Sequence, residues 1–231
     1  MHHSPNSLTE LENFCVDRWR HYHPHFEIIF HNDNDIRNLL LKNYPGIVDV
    51  FDQSPGIVKG QIGRYLVMIT HGGTYADVDV CPFIGIDRWI DPDDELITVR
   101  RGKNDYEMDY QFHSIKGDPV WEQVLLDGVD QWSKHTKVFE NIDAYRLCIF
   151  ETLSVHHLQR HYNNHQRRIM EPPLCSSYEH NWGHDECYTT HYSSESWLPE
   201  ENNRWQGGES DDKYKHAAQH FMQKIDEILP K

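Results

Sequence analysis

The chain has 231 residues, of which 38% are hydrophobic, and it carries a formal net charge of −15 at pH 7. This length suits one large domain, or a domain with an appendage, with a substantial core. The negative charge argues against binding nucleic acid or an anionic membrane through a basic face.

Two further features concern the compartment in which the protein works. The longest uninterrupted apolar run, Tyr65–Ile69, is far too short for a membrane span, and the sequence shows no signal-peptide pattern. We therefore expect a soluble protein as given, and a cytoplasmic one if the chain is complete. The five scattered cysteines, with no C-x-x-C pair, are typical of free thiols, although one or two disulfides stay open.

The first part of the chain predicts two helices around a short strand. Ser7 and Glu10 have the spacing of a capping box, which predicts a helix that starts here and stops at a His-Pro pair. The apolar run Phe26–Phe30 predicts a short buried strand. Asp33 or Asp35 is then expected to open a second helix.

The next stretch predicts an amphipathic helix, a glycine turn and a strand. Apolar residues recur at helical spacing up to Gly72, where a helix commonly ends in a left-handed conformation. Beyond it, alternation along a strand places Tyr75, Asp77 and Asp79 on one face. Two carboxylates aimed the same way repel each other unless a cation lies between them, and Mg²⁺ or Mn²⁺ takes such oxygen ligands.

The remaining chain predicts further alternation of strands and helices. We expect a strand at Leu96–Val99, and a second strand that runs through a Gly-Asp-Pro turn into a helix over Val120–Trp132. Asp109 and Gln111 share one face of that second strand. After a polar linker, an amphipathic helix is expected at Asp211–Leu229.

The segment GRYLVMITHGGTYADVDV resembles the DXD signature of a family of retaining glycosyltransferases. That family includes the fungal initiating α-1,6-mannosyltransferase and the α-1,4-galactosyltransferases. A bare Asp-x-Asp means little, but here Arg64-Tyr65 and Gly72-Gly73 precede it at the family's spacing. The resemblance covers roughly residues 10 to 90. It implies an α/β fold of the GT-A type, three-layered with a mixed sheet, over residues 1–198, with a linker and helix at 199–231.

The family pattern also has features that this sequence lacks. Relatives usually open with a strand of the type IPKIIHQ-W, and that strand is expected to be missing here. Where the pattern has an aspartate shortly before Arg-Tyr, this chain has Gln61, which can still accept a hydrogen bond. A histidine followed by Ser-Trp resembles the family's C-terminal block, and in this chain it is His191 with Trp197.

The resemblance implies a metal-dependent retaining transferase that moves a hexose from a UDP- or GDP-sugar to a glycan or other hydroxyl acceptor, with Mn²⁺ or Mg²⁺ as cofactor. The implied metal ligands are Asp77, Asp79 and His191. The implied donor-binding residues are Arg64, Tyr75, Gln61, Asp77 and Trp197. Asp109 and Gln111 are the candidates for steadying the anomeric centre.

Two other functions stay open at this point. The missing strand and Gln61 favour a catalytically weak or inactive relative that binds a nucleotide sugar or glycan without turnover. Alternatively, His180, His184, Cys187 and His191 have a spacing that superficially suggests zinc, which would make the chain a zinc-stabilised interaction module.

Overall fold

A computed structural model describes residues 8–100, 107–135, 167–170, 175–177 and 188–191 of the chain. The α-helices in these ranges are α1 (Glu10–Tyr22), α2 (Asp33–Asn43), α3 (Val48–Gln53), α4 (Gly56–His71) and α5 (Pro119–His135). The strands are β1 (Gly73–Ala76), β2 (Val80–Pro82), β3 (Leu96–Arg100), β4 (Glu107–Ser114), β5 (Arg167–Met170), β6 (Cys175–Ser177) and β7 (Thr189–His191). The predicted linker and helix of residues 199–231 lie outside the described residues.

Both N-terminal helices begin at capping boxes, and the first of them lies two residues after the predicted one. Thr9 caps α1: its Oγ1 accepts from the backbone N of Glu12 at 3.2 Å, and its own N donates to the Glu12 carboxylate at 2.7 Å. The pattern Ser/Thr-x-x-Glu occurs twice in overlap here, and the second copy starts the helix. Helix α2 begins at Asp33, one of the two predicted starts; Asn32 is its cap, and Asp35 closes the box.

The strands form two small sheets. In the first, with the order β1-β4-β3-β5, the β3–β5 pair is parallel and the others are antiparallel, so this sheet is mixed as predicted. The second sheet has the order β2-β7-β6. Together with the helices, this gives the α/β class expected from the sequence.

Apolar side chains cover both faces of the first sheet. On one face, Phe112 of β4 packs against Trp121 of α5, with ring centroids 4.6 Å apart, and Tyr65 of α4 stacks on Trp121 at 5.6 Å. On the other face, Ile97 and Tyr110 belong to a second cluster with residues of β2 and the loop that follows it. Each large ring contributes about 1.5–3 kcal/mol by burial, so α4 and the sheet are held firmly together.

Helix α1 joins this second cluster through a buried histidine, His23. The ring takes the tautomer in which Nδ1 donates to the Trp19 carbonyl, while Nε2 accepts from the backbone N of Ile86; both contacts are 2.8 Å. Burial lowers the pKa of His23, and Asp87 opposes the shift only in part. His23 is therefore neutral in the fold, and its two hydrogen bonds connect α1 to the loop after β2.

The predicted strand at Phe26–Phe30 is wrong. The segment is not part of a sheet, because no strand among the described residues pairs with it. Two of its apolar side chains lie largely in solvent: Phe26 is 56% exposed and Ile29 50%. Among the described residues, no helix combines the length and hydrophobicity needed to cross a bilayer.

Candidate functional site

The DXD residues lie in a tight turn between two strands, rather than along one strand as the sequence pattern predicted. Strand β1 ends at Ala76, and the backbone N of Val80 donates to the Asp77 carbonyl at 3.0 Å. The backbone N of Asp77 donates in turn to the Tyr110 carbonyl of β4 at 2.8 Å. The turn still brings the Asp77 and Asp79 carboxylates to one place, as expected.

Helix α4 supplies a cation to the first aspartate. Arg64 Nη2 lies 3.2 and 3.3 Å from the two carboxylate oxygens of Asp77, and the Tyr75 hydroxyl donates to Oδ1 of the same carboxylate. The guanidinium also lies over the Tyr75 ring, 5.5 Å from its centroid. Burial raises the pKa of Asp77, Arg64 opposes that shift, and Asp79 adds to it. Asp77 is thus a fixed and only partly exposed acceptor, its side chain being 22% exposed.

The second aspartate meets a histidine from the far end of the described chain. Strand β7 pairs with β2 so that His191 lies opposite Val80. Val80 directly follows Asp79 in the chain. His191 Nε2 is 3.3 Å from the Asp79 carboxylate, which belongs to a residue only 6% exposed. Burial alone would lower the pKa of His191, but the Asp79 carboxylate outweighs it, so the pKa is raised.

The three side chains form a donor set that fits a divalent cation. One ligand atom from each of Asp77, Asp79 and His191 lies within 4.8 Å of the others. Ligands on opposite sides of an ion with bonds of about 2.2 Å are about 4.4 Å apart, so small adjustments would bring all three onto one ion. Carboxylate oxygens and an imidazole nitrogen are ligands that suit Mn²⁺-type ions, whereas softer metal ions prefer thiolate ligands.

The other predicted site residues have different surroundings. Gln61 lies in α4, one turn before Arg64, and is 5% exposed; its Oε1 has no hydrogen-bond partner among the described residues. Gln111 is fully buried and accepts a 2.6 Å hydrogen bond from the hydroxyl of Thr189. Asp109 lies in β4, outside the residues whose side chains the structure describes, and Trp197 lies outside the described residues altogether.

The alternative zinc set and the cysteines are described only in part. His180, His184 and Cys187 lie outside the described residues, while His191 contacts Asp79. Cys15 and Cys81 are free thiols and fully buried, as the sequence predicted for free cysteines.

Two residues at the site were missed by the sequence reasoning. Tyr110 stacks on the His191 ring, with centroids 4.3 Å apart, and Thr189 bonds to Gln111. Tyr110 lies between two polar positions that were predicted to face the sugar, so strand alternation assigned it to the opposite face.

The match to a known family covers the part of the chain that builds the DXD turn and Arg64. Residues 9–96 match the family model described as the glycosyltransferase sugar-binding region containing DXD motif. Over these residues the chain is similar to the DXD-containing glycosyltransferases. The family resemblance expected from the sequence is therefore confirmed.

Curated relatives support the same family. The chain is 28% identical over 89 residues to inositol phosphoceramide mannosyltransferase 3 of Schizosaccharomyces pombe, covering 38% of this chain and 23% of that protein. It is 32% identical over 76 residues to inositol phosphoceramide mannosyltransferase 2 of the same organism, covering 32% and 21%. The matches thus span less than a quarter of each relative's length.

A solved structure, the PaToxG glycosyltransferase, superposes with a TM-score of 0.43 and 13% identity, over 66% of this chain and 63% of that one.

Proposed function

We propose that this protein is a metal-dependent glycosyltransferase that moves a hexose from a nucleotide sugar to a hydroxyl acceptor. The observation that carries the proposal is the convergence of Asp77, Asp79 and His191, with Arg64 beside Asp77. Both aspartates and Arg64 lie inside the segment that matches the DXD family, and His191 reaches them from outside it. In this proposal the domain is of the GT-A type, and the reaction retains the anomeric configuration.

Asp79, His191 and Asp77 would hold a Mn²⁺ or Mg²⁺ ion. When bound, the ion would neutralise negative charge on the departing diphosphate. Arg64 already neutralises part of the Asp77 charge and keeps its carboxylate fixed at the site. Because Tyr75 donates to the same carboxylate, one oxygen of Asp77 is held in place, and the other can accept from a donor hydroxyl.

The remaining assignments follow the family resemblance. Gln61 and Trp197 are proposed to contact the nucleotide sugar, and Asp109 to steady the anomeric centre. The other sequence candidate for that role, Gln111, is fully buried and bonded to Thr189, so it is not assigned a sugar contact. No protein base of fixed identity is required, because the departing phosphate oxygen can take the acceptor's proton on the same face of the sugar. The two curated relatives are named as mannosyltransferases, so GDP-mannose is the first donor to test, followed by other GDP- and UDP-hexoses.

The test is the release of nucleoside diphosphate from purified protein incubated with Mn²⁺ and this panel of donors. We expect release that stops with a chelator and falls at least about 100-fold in Asp79→Asn, as is typical for loss of a metal ligand or its support. Asp93→Asn is the matched control, because Asp93 is an exposed loop aspartate whose loss should leave the rate unchanged.

The other outcomes separate the alternative functions. Binding of a donor without release, measured by calorimetry, would identify a catalytically weak relative. Neither binding nor release with any donor, together with zinc that stays bound through dialysis, would contradict the transferase and favour a zinc-stabilised interaction module.

A further inference from the structure

We propose that Tyr110 and Gln111 of β4 are positioning residues that hold His191 at the site, so that its ring is preset to share an ion with Asp79. This inference rests on the proposed metal-dependent function. It concerns residues that do not touch the ion and act through the strand that carries the third ligand.

Tyr110 connects the two halves of the site. Its side chain is 3% exposed, and its ring stacks on the His191 imidazole at 4.3 Å between centroids and 25° between planes. Its backbone carbonyl accepts the hydrogen bond from the N of Asp77. One residue therefore supports the DXD turn through its backbone and His191 through its ring.

Gln111 fixes the strand that carries His191. Its amide oxygen accepts from the Thr189 hydroxyl at 2.6 Å, and both residues are fully buried. Thr189 lies two residues before His191 in β7, a strand of three residues. A shift of β7 by one residue would break this buried bond and would also turn His191 to the opposite side of the strand. The bond thus sets the register that brings His191 to Asp79.

An irregularity in β4 explains how the side chains of two consecutive residues, Tyr110 and Gln111, both contact strand β7. In a regular strand, neighbouring side chains point to opposite faces. Here the pairing with β3 passes from Thr98 opposite Phe112 directly to Val99 opposite Met108. The residues between Met108 and Phe112 therefore have no regular partner in β3. Such bulges redirect side chains near functional sites.

The consequence is a measurable effect on metal affinity. Groups that orient a metal ligand without touching the metal change affinity by about 10–100-fold when removed. We expect Tyr110→Leu to weaken Mn²⁺ binding by about that factor, whereas Tyr110→Phe, which keeps the ring, should bind within about 3-fold of wild type. Thr189→Val should weaken binding, and Thr189→Ser, which keeps the hydroxyl, should restore most of it.

The experiment is an electron paramagnetic resonance titration of free Mn²⁺ with the full chain and these variants, without nucleotide. Val129→Ala in α5 serves as a stability control, since Val129 belongs to the first core cluster and Tyr110 to the second. If Tyr110 and Gln111 position His191 as proposed, Tyr110→Leu and Thr189→Val bind Mn²⁺ more weakly than wild type. Val129→Ala then keeps the wild-type Mn²⁺ affinity despite a lower melting temperature.

Two results distinguish the failure of this inference from that of the proposed function. If wild type binds Mn²⁺ and Asp79→Asn does not, but Tyr110→Leu and Thr189→Val bind as well as wild type, then only the positioning inference is overturned. If wild type binds no Mn²⁺ at all, the metal-dependent function and the inference fall together. If the Tyr110→Leu variant does not fold, the comparison of Thr189→Val with Thr189→Ser decides the question, since valine is close to isosteric with threonine.

Discussion

The turn that joins α4 to β1 allows a sharp test, because its two adjacent glycines have different surroundings. Gly72 has φ 67° and ψ −160°, a region that is essentially restricted to glycine. A Cβ added there would lie 2.4 Å from the backbone N of Lys116 and 2.7 Å from its Cα. Gly73 also has a positive φ, 87°, but a Cβ added there meets nothing within 4 Å.

The magnitudes follow from these two differences. Gly73→Ala suffers only the unfavourable backbone conformation, about 1–2 kcal/mol. Gly72→Ala suffers backbone strain of about 1–3 kcal/mol and a steric clash with main-chain atoms of about 1–3 kcal/mol. The clash involves backbone, so no side chain can rotate away from it. We therefore expect Gly72→Ala to lower the free energy of unfolding by about 2–6 kcal/mol.

The assay is urea unfolding of wild type and both variants, followed by circular dichroism and tryptophan fluorescence. The reasoning requires a lower midpoint for Gly72→Ala than for Gly73→Ala, with the denaturant dependence unchanged. Equal midpoints for the two variants would refute it, because the contact with Lys116 would then have no energetic weight.

Three further predictions concern the site's cation, a buried histidine and the core. Arg64→Met should lower the free energy of unfolding by about 1–3 kcal/mol, since it removes the cation beside the partly buried Asp77 carboxylate. Adding Asp77→Asn should recover part of this loss, and strictly additive losses would argue against an interaction between the two side chains. The contribution of His23 to stability should be lost as the pH drops below about 6.5, because the unfolded chain takes up a proton that His23 resists in the fold, where its pKa is lowered. In chemical unfolding from pH 5 to 7, His23→Gln should therefore lose less stability on acidification than wild type does. Leu125→Ala should lower the free energy of unfolding by about 2–5 kcal/mol, because this side chain is fully buried. Leu126→Ala should change it by no more than about 0.5 kcal/mol, because Leu126 is 43% exposed; thermal unfolding measures both.

Several of the helices and strands could be predicted from local patterns. The helix ended by Gly72, the strand at Leu96 and the helix after Pro119 all occur, because apolar periodicity and turn chemistry act over a few residues. The strand at Phe26–Phe30 does not occur. An apolar run favours a strand only if a partner strand is available, and a sequence window does not report the partner.

The sequence named three side chains that converge in the structure, Asp77, Asp79 and His191, but not how the chain brings them together. Asp77 and Asp79 do converge, yet they do so through a turn, because the chain bends after Ala76. His191 lies over 110 residues from them, and only the family pattern linked them. Tyr110 escaped prediction because the pairing of β4 with β3 is irregular at this point, and simple alternation of side chains along a strand does not reveal such an irregularity.

The charges at the site explain why the chain would need a metal to bind its proposed donor. Asp77 and Asp79 carry two negative charges, and Arg64 compensates one of them while it is engaged with Asp77. In the metal-free site, the raised pKa of His191 favours a proton that offsets Asp79. Only the neutral ring can be a metal ligand, and with it the site keeps one negative charge, in a chain that is already strongly acidic. A nucleoside diphosphate sugar is itself an anion, so that state of the site would repel it. A bound divalent cation reverses the sign of the site's charge, and in a poorly hydrated pocket that reversal acts at short range with little screening. Metal should therefore bind before the donor or together with it.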